Sequence, residues 1–104
     1  MIKRVLGIDP GLARTGWGVV DSDGTRHSHV DHGTISTEAK TPVQERLLAL
    51  DRELSALIEA FKPEGLGIET LFFTKNISSA IPVAQARGVV LLGAGRAGLA
   101  VGEY

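Results

Sequence analysis

Residues 6–9 read Leu-Gly-Ile-Asp, and sixty positions later residues 66–69 read Leu-Gly-Ile-Glu. Each tetrapeptide closes a short apolar run with a carboxylate, where a strand entering a core normally ends in something neutral or turn-forming. Side chains alternate along a strand, so Leu6 and Ile8 face one way while Gly7 and Asp9 face the other, and Leu66 and Ile68 divide in the same manner from Gly67 and Glu69. Parallel neighbours in register, about 4.8 Å apart, would bring Asp9 and Glu69 close enough to share a cation. The glycine two residues before each acid clears space on that face.

The segments between the tetrapeptides fit this arrangement. Residues 3–9 form a short strand rich in aliphatic residues and followed by a Pro-Gly turn. Residues 15–21 and 29–36 read as two further strands, with the Asp-Ser-Asp-Gly-Thr turn at 21–25, so the first three strands make an antiparallel meander. A helix is predicted over the segment 41–65, with Thr41 as its N-cap, Pro42 at its first position, and Pro63 and Gly65 at its exit. Leu47, Leu50, Leu54, Leu57, Ile58 and Phe61 give this helix one apolar side. The fourth strand (65–71) follows a helical crossover and is therefore expected to run parallel to the first. A second helix is predicted over 79–97, and residues 98–104 begin a fifth strand. Pro82 fits that helix in its first turn. Ala84, Gly88 and Gly95 fall on one of its sides, suited either to tight packing on the sheet or to close approach of another helix.

The residues after Asp9 hold it in place. Proline disfavours helix at the residue before it, which keeps Asp9 extended. Pro10 and Gly11 suit the central positions of a type II turn, with positive φ at Gly11. Two adjacent carboxylates repel, and one takes up a proton unless a cation balances them. With no cysteine in the chain, their hard oxygens favour Mg²⁺ or Mn²⁺. Singly, Asp9 reads as a turn-capping aspartate and Glu69 as an exposed strand end; the matched tetrapeptides favour the paired site.

Composition sets limits on the rest. A length of 104 residues suits one small domain, and 43% hydrophobic with 22% charged residues fits an ordered globular chain. No apolar run approaches the ~18 residues of a membrane helix, and the basic start at Lys3 and Arg4 precedes too short an apolar stretch for a signal peptide. No membrane partner and a cytoplasmic location are therefore expected. A net charge of −1 means that a polyanion partner would have to be held by a local basic patch or by bridging cations. His27, His29 and His32 with Asp31 invite a metal reading, which is set aside because His27 and His29 fall on an exposed strand rim with nothing converging on them. Trp17, in an alternating strand, is expected to pack.

Gly-Ile-Asp-Pro-Gly (7–11), Thr-Gly-Trp-Gly-Val (15–19), Ile-Glu-Thr-Leu-Phe (68–72), Lys-Asn (75–76) and Gln-Ala-Arg-Gly-Val (85–89) resemble, in order and spacing, the RuvC family of Holliday-junction resolvases. That family is a bacterial branch of the ribonuclease H-like nucleases. The resemblance runs along essentially the whole chain. It implies a single ribonuclease H-like α/β domain over residues 1–104, with strands 1-2-3 antiparallel, strands 4 and 5 parallel to strand 1, helices packed on the sheet, and the C-terminal part missing. It also implies an endonuclease that acts as a homodimer on four-way DNA junctions with Mg²⁺ or Mn²⁺, in DNA recombination and repair, alongside a branch-migration complex of RuvA and RuvB.

By the same resemblance, Asp9 and Glu69 are catalytic and hold the metal. Phe72 is an aromatic wedge for the junction centre, Lys75 and Asn76 lie beside DNA, and Gln85, Arg87 and Gly88 lie near the dimer interface. Arg14 stands in for an arginine that the family places slightly earlier. A further pair of family aspartates has no counterpart in these residues, so the chain is expected to be incomplete for catalysis. Phe72 and Phe73 are adjacent, and core packing is the ordinary fate of either; Lys75 and Arg87 also fit a solvated surface. Three other readings stay open: a resolvase-like nuclease acting on RNA or another DNA structure, an actin or sugar-kinase type of nucleotide-binding domain, and a non-catalytic dimerising or DNA-binding fragment.

Overall fold

The structure, a computed structural model, describes residues 1–70 and 77–103. Its elements are β1 (Lys3–Asp9), β2 (Arg14–Ser22), β3 (His27–Ser36), α1 (Val43–Phe61), β4 (Gly65–Ile68), α2 (Ile77–Ala97) and β5 (Ala100–Glu103). They build one five-stranded sheet in the order β3-β2-β1-β4-β5. β1 pairs antiparallel with β2, and β2 with β3, while β4 runs parallel to both β1 and β5. The mixed sheet is the one expected.

Alternation along the strands explains why both helices lie on one side. Leu6, Ile8, Val19, Leu66 and Ile68 project from the sheet into a cluster with Leu54 of α1 and Val90 and Ala94 of α2, all fully or almost fully buried. Trp17 stacks at a tilt on Phe61, ring centroids 5.7 Å apart, and so packs as expected. Its partner across the ladder is Gly33, where a Cβ would stand 2.8 Å from the indole. The opposite face carries Val5, Gly7, Gly16, Gly18, Val20 and Gly67, and no helix covers it among the described residues. Among those residues, too, no helix is long and apolar enough to cross a membrane.

Several local expectations are corrected. Thr41 does not cap α1: Pro42 holds the N-cap position at φ −54°, ψ 146°, with no side-chain cap, because its extended ψ already turns the chain into the helix. The exit of α1 is made by Lys62 in the left-handed region (φ 50°), whose N–H donates to the Ile58 carbonyl, one residue before Pro63. Gly11 does not have positive φ; that conformation belongs to Gly24 and Gly98 among the described glycines. Gly11 is required for another reason, since a Cβ there would lie 2.4 Å from the Arg14 carbonyl oxygen.

Helix α2 starts at Ile77, two residues before the expected start, so Pro82 sits inside it and not in its first turn. Proline cannot donate to the carbonyl four residues back, and one helical bond is lost there. Gly98 (φ 73°) ends α2, with Leu99 N–H donating to the Ala94 carbonyl at 3.0 Å, the reach-back expected of a left-handed C-terminal glycine. Ala84, Gly88 and Gly95 do not pack on the sheet: all three are exposed, and a Cβ at either glycine would meet nothing within 4 Å.

Candidate active site

The register of β1 against β4 pairs Gly7 with Gly67 and Ile8 with Ile68. Glu69 follows directly, its N–H donating to the Ile8 carbonyl at 3.0 Å, so the ladder runs one residue past the strand. Asp9 and Glu69 therefore emerge side by side on the helix-free face. Asp9 is exposed and Glu69 half-buried. The Glu69 carboxyl is held above its ordinary pKa, first by the charge on Asp9, then by partial burial, and then by a side-chain hydrogen bond with Asp9. Two carboxylates that burden one another in this way form a donor set suited to a divalent cation with hard-oxygen preference. Among the described residues no third His, Cys, Asp or Glu joins them.

The turn that aims Asp9 is tied from several sides. Pro10 and Leu12 are buried. Thr15, the one buried polar residue among those described, donates its hydroxyl to the Gly11 carbonyl at 2.6 Å and accepts the Gly11 N–H at 3.2 Å. Thr37 donates its N–H to the Ala13 carbonyl at 3.0 Å and its hydroxyl to the Leu12 carbonyl. The Arg46 Nε of α1 donates in turn to the Thr37 hydroxyl at 3.0 Å. Thr15, Thr37 and Arg46 were not singled out from the sequence. Thr15, four residues after Gly11, offered the only local signal, because Thr37 and Arg46 reach the turn through tertiary structure.

Next to Asp9 the exposed face forms a shallow groove of about 410 Å³, floored by Gly7, Gly16, Gly18 and Gly67 between Val5 and Val20. Arg14, at the start of β2, is exposed two residues from Gly16, the residue that pairs with Asp9. Of the other expected site residues, Phe72, Lys75 and Asn76 lie outside the described residues. Gln85 and Gly88 are exposed on α2. Arg87 forms an ion pair with Glu103 of β5. Glu103 lies opposite Ile68, whose side chain is in the core, so it faces the helix layer and not the carboxylate pair.

The sequence profile described as "Crossover junction endodeoxyribonuclease RuvC" matches residues 5–104. Among proteins of that name, the one from Treponema denticola is 49% identical over 96% of this chain and 56% of its own length. The one from Xanthobacter autotrophicus is 50% identical over 97% of this chain and 60% of its own length. The chain thus spans well under two thirds of these curated relatives. The structure of RuvC from Thermus thermophilus in complex with Holliday junction substrate superposes with a TM-score of 0.91 at 31% identity, covering 98% of this chain and 62% of that one. The five-stranded mixed sheet with its two helices is shared with that ribonuclease H-like fold.

Proposed function

The chain belongs to the RuvC family of crossover junction endodeoxyribonucleases, and on that premise we propose that it forms the nuclease core of an enzyme that resolves four-way DNA junctions by hydrolysing phosphodiester bonds. The carrying observation is the in-register pair of carboxylates, Asp9 and Glu69, each raised on a parallel strand end with Asp9 elevating the Glu69 pKa. Asp9 and Glu69 would hold a divalent cation, Mg²⁺ or Mn²⁺, which would supply Lewis acidity to the scissile phosphate and lower the pKa of an attacking water. Thr15 and Thr37 keep the Asp9 turn fixed, so the carboxylate does not have to be ordered when substrate arrives. The glycine floor beside the pair lets a sugar-phosphate backbone lie close to the sheet. Arg14 offers a phosphate contact, a kind that positions DNA without reading its sequence. Phe72, Lys75 and Asn76 take the junction-centre and DNA-contact roles that the family resemblance implies.

The exposed, small-residue side of α2 carrying Ala84, Gln85 and Gly88 supports a homodimer through that helix. Arg87 contributes to it by holding β5 against α2 through Glu103. A cytoplasmic enzyme of DNA recombination and repair working with RuvA and RuvB is the corresponding cellular reading. The 104 residues carry two of the catalytic acids, and the relatives are longer.

The test is cleavage of a synthetic four-way junction by the full-length protein with Mg²⁺ or Mn²⁺. Asp9→Asn and Glu69→Gln are each expected to lower the rate by at least about 100-fold while junction binding persists. Undiminished cleavage by both variants would remove the site. Equal cutting of linear duplex, or cutting of RNA alone, would replace the substrate.

A further inference from the structure

Residues three apart on a regular strand project from opposite faces, so His29 and His32 of β3 should be separated by the sheet. They are not. The pairing of β2 with β3 slips between Val19, which opposes Asp31, and Val20, which opposes His29, leaving Val30 as an extra residue. A β-bulge of this kind resets the alternation. His29 then lies across from Val20 and His32 across from Gly18, both of which line the groove on the helix-free face. Asp31 steadies the bulge by accepting the His32 N–H at 2.8 Å. The result is that His29 Nε2 and His32 Nδ1 stand 2.8 Å apart, with ring centroids separated by 5.0 Å and planes inclined by 59°.

At that contact one of the two facing nitrogens donates and the other accepts; both present lone pairs to an ion once the donor ring takes its other tautomer, with its hydrogen on the outer nitrogen. With metal–nitrogen bonds of about 2.0–2.1 Å, two nitrogens at a right angle lie about 2.9 Å apart, and at a tetrahedral angle about 3.3 Å. The observed separation matches the right-angled case, the geometry of tetragonal Cu²⁺ or Ni²⁺ sites, and imidazole is a ligand these ions favour. Both rings are exposed, so each can turn about its outer torsion to aim its nitrogen at one ion.

We propose that His29, through Nε2, and His32, through Nδ1, form a bidentate site for a divalent transition metal of the copper–nickel class, with water completing its coordination. No third His, Cys, Asp or Glu converges there among the described residues. The site differs in donor chemistry from the oxygen-only pair at Asp9 and Glu69. It lies two strands away on the same face, roughly 10 Å across the sheet from Asp9 at the usual strand spacing. It is also a further two to four residues along the strands, since His32 and His29 stand in the rows of Gly7 and Val5. His27, two residues before His29, falls outside the pair and serves as the control.

The experiment titrates Cu²⁺, and separately Ni²⁺, into full-length protein carrying Asp9→Asn and Glu69→Gln, which removes the carboxylate site. Calorimetry gives affinity and stoichiometry, and electron paramagnetic resonance of the copper form counts the nitrogen ligands. One ion per chain is expected, Cu²⁺ held more tightly than Ni²⁺, with two coupled nitrogens. His29→Ala and His32→Ala should each weaken binding by at least about tenfold and remove one nitrogen from the spectrum, while His27→Ala leaves both unchanged. Binding as tight in the His29→Ala, His32→Ala double variant as in its parent would overturn the proposal. An equal loss on His27→Ala would overturn it as well, by moving the ligands elsewhere on the strand.

Discussion

Glu69 keeps its proton to higher pH in the folded chain than in the unfolded one, because Asp9 stands beside it only after folding. A carboxyl with a raised folded-state pKa contributes stability that is fully present below its unfolded pKa and is lost as pH rises through the folded value. The metal-free protein is therefore strained at neutral pH by its own site. Glu69→Gln should raise Tm at neutral pH, give no gain well below the ordinary glutamate pKa of about 4.3, and lose its advantage when Mg²⁺ is saturating. Scanning fluorimetry at two pH values, with and without Mg²⁺, reads all three. Thr15→Val, nearly equal in volume, leaves the Gly11 carbonyl and N–H without their buried partner and should cost about 1–3 kcal/mol in a denaturant titration. Asp9 and Glu69 were legible in the sequence because strand alternation and a shared tetrapeptide fix their direction. The hydrogen bonds of Thr37 and Arg46 were not, since they join residues brought together only by the packing of β3 and α1 around the turn. The His29–His32 contact was equally hidden: it depends on a bulge that exists only in the pairing of two strands.

At the scale of the element, α2 shows two kinds of glycine. Gly93 is buried, and a Cβ there would stand 2.9 Å from Leu54 Cδ2, whereas a Cβ at Gly88 would meet open space. Gly88→Ala should therefore stabilise the isolated chain by about 0.5–1 kcal/mol through helix propensity. Gly93→Ala should lose that gain to overpacking against Leu54. Urea midpoints of the two variants make the comparison. The 3–4 spacing of apolar residues was enough to locate α1, and α2 was expected where it lies and ends at Ala97 as expected, but neither start nor the exit of α1 was legible. The start of α1 is set by the extended backbone of Pro42 instead of a Thr41 side chain, and α2 runs through a proline because its packed turns outweigh one missing bond. The glycines of α2 were visible as a group; which of them touches a neighbour depends on the side of the helix that meets α1.

The whole molecule is a sheet with helices on one face and a glycine-floored groove on the other. The pairing of its first four strands followed from two rules legible in the sequence: short turns join antiparallel neighbours, and a helical crossover returns the chain parallel. The parallel course of the fifth was implied by the family resemblance. Leu54 holds the layers together, fully buried in the cluster that joins β1, β2, β4 and α2. Leu54→Ala should cost about 2–5 kcal/mol, lost in a single cooperative transition by circular dichroism and by fluorescence alike. The second of those signals, excited where only indole absorbs, has one source, for the chain contains a single tryptophan, and that indole is wedged between sheet and α1 against Phe61. The protein thus carries its own optical gauge at the seam between its layers. Unlabelled emission from Trp17 will dim or shift when α1 lifts from the strands, and will stay silent to events confined to the tip of the β2–β3 hairpin.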